Sequence, residues 1–134
     1  MIKQGIIIRK NFPDGKGGVK SMRRGKEIAQ GSHASMAFMT KPLRAQDKNK
    51  CKLHLSNDTL EWFKSGQTKI CLKIDSEESL LEIVNNAKLA GLEAHTIVDA
   101  GRTEFDGVPT VTCAAIGPNK SEEIDKLTKH LKLY

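Results

Sequence analysis

Apolar positions along the chain fall into short blocks bounded by charge, glycine or proline, and the spacing inside each block predicts an element. Gly5-Ile6-Ile7-Ile8 is a continuous β-branched run stopped by Arg9-Lys10, the pattern of a strand buried on both faces. Asn11 to Gly18 is rich in turn formers and reads as a loop. From Arg24 to Met39 no proline interrupts a series of small residues (Ala29, Gly31, Ser32, Ala34, Ser35, Ala37), which predicts a helix lying close on a sheet and ended by Pro42. Lys41 to Lys52 is polar and basic, a linker or an extension of the helical region. Ser56 caps a short helix through Leu60, Trp62 and Phe63 that stops at Gly66. Ile70, Leu72 and Ile74 alternate with Lys69, Cys71 and Lys73, which predicts a strand. Asp75-Ser76-Glu77-Glu78 opens a helix with Leu80, Val84 and Ala87 on one face and Gly91 at its close. Ala94 to Val98 is a third strand and Asp99 to Pro109 a loop. Thr110 to Ile116 is a fourth strand closed by Gly117-Pro118, and Ser121-Glu122-Glu123 starts a last helix carrying Ile124, Leu127 and Leu131.

This alternation predicts an α/β fold with helices on both faces of a sheet. The third and fourth strands are joined by about eleven residues with no helix, too short for a usual parallel crossover. They are therefore expected to run antiparallel if they are neighbours, which makes the sheet mixed. There is no internal repeat, and the 134 residues suit one domain, 1–134.

Composition narrows the classes. No apolar run approaches the ~20 residues of a membrane helix, and no signal peptide is legible, so no membrane partner is expected. Cys51, Cys71 and Cys113 are odd in number and scattered, which points to a reducing cytosol rather than a disulfide framework. The net charge of +6 is unevenly spread. Met1 to His54 carries 13 Lys+Arg against 3 Asp+Glu, a net of +10, whereas Leu55 to Tyr134 carries 9 against 13, a net of −4. A half this basic suits an anionic partner such as nucleic acid. With one Trp and one Tyr, an aromatic platform for single strands is disfavoured, so contact through phosphates and shape is expected.

Sites in open α/β sheets gather at the carboxyl ends of the strands. Three segments converge there: Met22-Arg23-Arg24-Gly25-Lys26, Asp99-Ala100-Gly101-Arg102-Thr103, and Thr110 to Thr112. Lys26, Gln30 and His33 share a helix face. Lys26 opens its helix, where the dipole disfavours a cation, so an anionic contact is expected to hold it. Gln30 and His33 taken singly read more readily as a solvated polar face than as a site, and Asp99 equally as a turn residue. No phosphate loop, dinucleotide fingerprint, serine-hydrolase elbow or metal-ligand spacing is present.

Read together, these segments resemble a known family. Gly25-Lys26-Glu27-Ile28-Ala29-Gln30-Gly31-Ser32-His33-Ala34 is similar to the GK-x-A-A-Q-x-x-H-A helix of the archaeal and eukaryotic type (type 2) of peptidyl-tRNA hydrolase. Asp99-Ala100-Gly101-Arg102-Thr103 resembles its DAG-x-T loop, Thr110-Val111-Thr112 and Ala115 to Pro118 its TVT…IGP strand, and Ile124 to Tyr134 its C-terminal ending. Arg24 stands where the family commonly has Lys, and Asp106-Gly107-Val108-Pro109 where it tends to have a Pro-Gly turn. The resemblance implies a three-layer α/β/α sandwich with a four-stranded mixed sheet, a cytoplasmic homodimer, and no metal or organic cofactor. It implies hydrolysis of the ester joining a peptide to the 3′ end of tRNA. The residues it singles out are Lys26, Asp99, Thr103 and Thr112 for catalysis. Arg23, Arg24, Gln30, His33 and Arg102 are expected to contact the tRNA acceptor stem and 3′ end. In the expected mechanism Asp99 orients or deprotonates a water, Lys26 with nearby backbone N–H groups stabilises the oxyanion or holds the terminal tRNA phosphate, and Thr103 and Thr112 position the water or the terminal ribose. The alternative is a catalytically inactive relative that binds tRNA or a protein.

Overall fold

The computed structural model describes all residues, Met1–Tyr134. Its elements in order are β1 (Ile2–Arg9), β2 (Phe12–Pro13), β3 (Val19–Lys20), α1 (Arg24–Arg44), α2 (Asn57–Lys64), β4 (Lys69–Ile74), α3 (Glu77–Leu89), β5 (Ala94–Asp99), β6 (Thr110–Lys120), α4 (Ser121–Thr128) and β7 (Lys132–Leu133). The main sheet has five strands in the order β5-β6-β1-β4-β7. β1 and β4 are parallel, while β5 with β6, β6 with β1 and β7 with β4 are antiparallel. The antiparallel pairing of the third and fourth expected strands is thus present.

The β-branched run of β1 lies at the centre of the sheet and separates two cores. Ile7 joins Leu72, Ile74, Ala114 and Ile116 under α3 and α4, which contribute Leu80, Val84 and Ile124. Ile6 and Ile8 face the other way, against Ala34 of α1, Cys113 and Ala115. The small residues of α1 do what their size allows, since Gly31, Ala34 and Ala37 are all buried against the sheet. α2 extends the same layer through Trp62, which meets Phe38 edge-on at 6.0 Å and packs on Ile2.

Several boundaries differ from the sequence expectations: among them, β1 begins at Ile2 and α4 ends at Thr128, short of Leu131. The sheet has five strands, not four: Leu133 and Lys132 pair with Leu72 and Lys73 at its edge, a two-residue strand too short to show alternation. The stretch Asn11 to Gly18 is not all loop, because Phe12 pairs with Lys20 and Pro13 with Val19 in a small hairpin. Its tip is tied by Asp14, whose Oδ1 accepts from the N–H groups of Lys16 and Gly18. Helix α1 runs two residues past Pro42 to Arg44; proline removes one donor near the helix end, where a single further turn can tolerate the loss. Strand β6 continues beyond Gly117-Pro118 to Lys120, which pairs with Ile2.

The β5–β6 ladder carries an irregularity that bears on the site. Ile97 pairs with Cys113 and Val98 with Val111, so Thr112 is an extra residue on β6, a β-bulge. Regular alternation sends successive side chains to opposite faces. Here Thr112 and Cys113 both reach Gln30 of α1.

Candidate active site

The expected rim forms at the carboxyl end of β5, where α1 begins. Helix α1 opens after Arg23, whose backbone is extended and whose side chain provides no cap. Lys26 therefore stands in a first turn with free N–H groups, and its ammonium is held by acceptors from the opposite segment. Its Nζ lies 2.9 Å from Asp99 Oδ1 and 2.8 Å from Thr103 Oγ1. The side chains of Lys26 and Asp99 keep only 15% and 13% of their surface exposed, so the pair is shielded but reachable from solvent.

Asp99 ends β5, and each carboxylate oxygen has a donor. Oδ1 accepts from Lys26 and, at 3.3 Å, from Gln30 Nε2; Oδ2 accepts from the Gly101 N–H at 2.9 Å. Burial by itself raises the carboxyl pKa. The hydrogen bonds from Lys26 and Gly101 and the charges of Lys26 and His33 outweigh it, and the net shift is below the ordinary value of 3.8. Asp99 is therefore a carboxylate at neutral pH.

The loop 100–109 is built to deliver Thr103. The Gly101 carbonyl accepts from the N–H groups of Phe105 and Gly107, closing the chain on itself. Gly101 has φ +84°, and a Cβ there would lie 2.2 Å from the Val108 carbonyl oxygen, so only glycine fits. Phe105 is buried against Phe12 of the hairpin, ring centroids 4.8 Å apart. Lys20 donates to the Glu104 carbonyl at 2.6 Å, and Arg23 pairs with the Glu104 carboxylate at 2.5 Å. Neither the hairpin's buried Phe12 nor the Glu104 pairing was legible beforehand, because both join segments more than eighty residues apart.

The remaining expected residues divide. Gln30 is nearly enclosed, 4% exposed, and serves the carboxylate rather than the surface. Thr112 has no exposed surface and donates to Gln30 Oε1 at 2.6 Å. His33 and Arg102 are exposed and make no hydrogen bond or ion pair, and both remain open to an anion. Arg24 lies on the other flank of α1, away from Asp99, lining a groove with Ile28, Met36, Cys71 and Tyr134. That groove, about 560 Å³, holds none of the Lys26–Asp99–Thr103 cluster. On the same flank Glu27 accepts from Lys10 at 2.7 Å and from the Tyr134 hydroxyl at 2.5 Å. This knot around the buried Glu27 carboxylate ties the first turn of α1 to β1 and the C-terminal Tyr134, and no local sequence signal pointed to it.

No group of three or more His, Cys, Asp or Glu is arranged to hold a metal ion, and no helix is long and apolar enough to cross a membrane. Cys113 donates to the Gln30 carbonyl at 3.2 Å, and burial pushes its thiol up to about 11. It therefore stays protonated and unreactive in mild alkali. A thiol reagent is expected to leave Cys113 unmodified in the native chain and to reach it only on unfolding. Modification of Cys113 in the native chain contradicts this.

An ammonium, an ionised carboxylate, a hydroxyl and free helix N–H groups around one solvent-facing point can orient a water and stabilise a developing oxyanion. No side chain is set up as an activated nucleophile. The family model described as peptidyl-tRNA hydrolase PTH2 matches residues 2–134. The chain is 39% identical over 132 residues to a peptidyl-tRNA hydrolase of Methanocaldococcus jannaschii, covering 98% of this chain and 99% of that one. It is 36% identical over 132 residues to that of Sulfolobus acidocaldarius, at the same coverage. A protein of Dictyostelium discoideum named probable peptidyl-tRNA hydrolase 2 is 35% identical over 132 residues, which span 98% of this chain and 54% of the relative.

Proposed function

The chain belongs to the peptidyl-tRNA hydrolase PTH2 family, and from that premise we propose that the Lys26–Asp99–Thr103 cluster hydrolyses the ester between a peptide and the 3′-terminal ribose of tRNA. The observation that carries the assignment is the pairing of Lys26 with Asp99 at 2.9 Å across the mouth of β5. Water, oriented by Asp99, attacks the ester carbonyl carbon and gives its proton to the carboxylate. Lys26 and the first N–H groups of α1 take up the negative charge on the carbonyl oxygen. Collapse breaks the bond to the ribose oxygen, which receives the proton. The products are a peptide with a free carboxylate and a reusable tRNA. Thr103, hydrogen-bonded to Lys26, is suited to guide the water or the ribose. Arg23, His33 and Arg102 flank the cluster and suit phosphates of the acceptor end, without reading sequence. Arg24, on the far flank, suits a more distant phosphate at most.

The test is single-turnover hydrolysis of a peptidyl-tRNA beside free aminoacyl-tRNA. Release of peptide and intact tRNA from the first is expected. Tight tRNA binding with no release would instead favour an inactive binding relative. The substrate arises at ribosomes, so this reading implies the cytoplasm. It also includes a homodimer. Its support is the uncovered flank of α1, where Ile28 and Met36 stay 65% and 51% exposed beside the half-exposed Tyr134. Sedimentation at micromolar concentration is expected to give twice the 14.8 kDa chain mass, and Met36→Glu to give the single chain.

A further inference from the structure

We propose that Thr112 does not touch substrate but is a positioning residue that locks the Gln30 side-chain amide, and that Gln30 in turn fixes the rotation of the Asp99 carboxylate. This deepens the reading above and rests on Asp99 being the carboxylate that handles the water.

The geometry leaves Thr112 little else to do. It has no exposed surface and lies beneath Gln30, so substrate cannot reach it without lifting α1. Its hydroxyl carries one proton, and the near acceptor is Gln30 Oε1 at 2.6 Å; the Ile97 carbonyl oxygen is at 3.5 Å. That bond decides which way the amide faces. With Oε1 committed to Thr112, Nε2 points at Asp99 Oδ1, 3.3 Å away. The flipped amide would set an oxygen against the carboxylate, two acceptors with no proton between them. Cys113 holds the other end of the same residue by its bond to the Gln30 carbonyl. Two consecutive strand residues can grip one helix residue only because of the bulge at Thr112. A bulge is a costly device for merely filling a core, and here its extra residue is a polar one.

The result is a division of labour between the two oxygens of Asp99. Oδ1 is loaded with two side-chain donors, Lys26 and Gln30, whereas Oδ2 has only the Gly101 N–H. A carboxylate oxygen accepts about two hydrogen bonds comfortably, so Oδ2 keeps one position for a water. Without Gln30 the carboxylate keeps Lys26 on Oδ1 and Gly101 on Oδ2 but loses the third donor that fixes its plane, and the open position on Oδ2 is less well aimed. The charged groups about Asp99 are Lys26 and His33 from α1 and, on its own loop, Arg102 and Glu104, the last neutralised by Arg23. Strand β6 brings no charge opposite it, only Thr110.

Four variants test this: Thr112→Val, Thr112→Ser, Gln30→Met and the Thr112→Val/Gln30→Met double. Two readouts are used, single-turnover rates with KM for peptidyl-tRNA, and the midpoint of the Asp99 carboxyl titration by NMR of the free protein. Thr112→Val and Gln30→Met are each expected to lower the rate about tenfold with KM unchanged, a loss of the size of one buried hydrogen bond. Both are expected to raise the Asp99 midpoint, because a donor to the charged form is lost. The double variant is expected to be no worse than Gln30→Met alone, and Thr112→Ser to match wild type. Additive losses in the double variant, or a rise in KM without a fall in rate, would overturn the proposal by giving Thr112 its own substrate contact. An unchanged Asp99 midpoint in Gln30→Met would overturn it as well. If Thr112→Val does not fold, the midpoint in Gln30→Met and the rate of Thr112→Ser still decide it. If the wild type shows no hydrolysis, the functional reading fails, while the Asp99 midpoints still test the positioning.

Discussion

Asp99→Asn is expected to lower the single-turnover rate on peptidyl-tRNA by roughly a thousandfold, the upper part of what one acid–base group supplies. The substitution keeps the outline of the side chain and removes what the site uses. The amide cannot take the proton of the attacking water. Its NH2 must face either the Lys26 ammonium or the Gly101 N–H, donor against donor in both cases. Binding of tRNA is expected to change little, because Arg23, His33 and Arg102 are untouched and one negative charge has left the rim. A rate within threefold of wild type removes Asp99 from the chemistry.

Lys26→Met is expected to cost about a hundredfold, the scale of losing one preorganised contact to an oxyanion. Methionine retains much of the stem and none of the charge, so packing against the loop is largely kept. A second measurement separates the action of Lys26 on Asp99 from its action on substrate. In the wild type the carboxyl is held below 3.8, chiefly by the Lys26 hydrogen bond working against burial. The acid limb of kcat/KM in the wild type is therefore expected below pH 3.8, and in Lys26→Met it moves upward, since burial remains and the opposing donor is gone. Folding follows the same sign. A depressed carboxyl adds stability above its unfolded pKa, and that increment disappears as pH falls through the folded value. A hundredfold loss with an unmoved acid limb would mean that Lys26 acts on the oxyanion alone.

The layered fold was legible because it rests on local patterns. The Ile6-Ile7-Ile8 run, the small face from Gly31 to Ala37 and the serine caps at Ser56 and Ser76 are each visible within a few residues. The antiparallel turn of β6 followed from a loop too short for a crossover. The fifth strand was hidden because Lys132-Leu133 has no periodicity of its own and is placed by the edge of β4. At the site, topology and the family likeness brought Lys26, Asp99 and Thr103 together. Thr112 and Gln30 were legible as residues, not as a buried pair, since a bulge is a property of two strands and leaves no mark on either one. Arg24, close to Lys26 in sequence, fell on the opposite flank because adjacent helix positions diverge by about 100°.

The bulge also changes the parity of β6. Below it, Cys113 and Ala115 face α1 while Ala114 and Ile116 face α3 and α4; above it, Val111 faces α3 and α4 and Thr112 faces α1. One strand thus carries two phases. The lower phase sets the packing of both cores, and the upper one sets what the carboxylate meets. Deleting Val111 would restore a single phase and leave the lower half in register with β1. Such a chain keeps its sheet and turns the threonine hydroxyl away from Gln30. The choice of phase above Cys113 is therefore a choice about what Gln30 meets, made without re-registering the strand on β1.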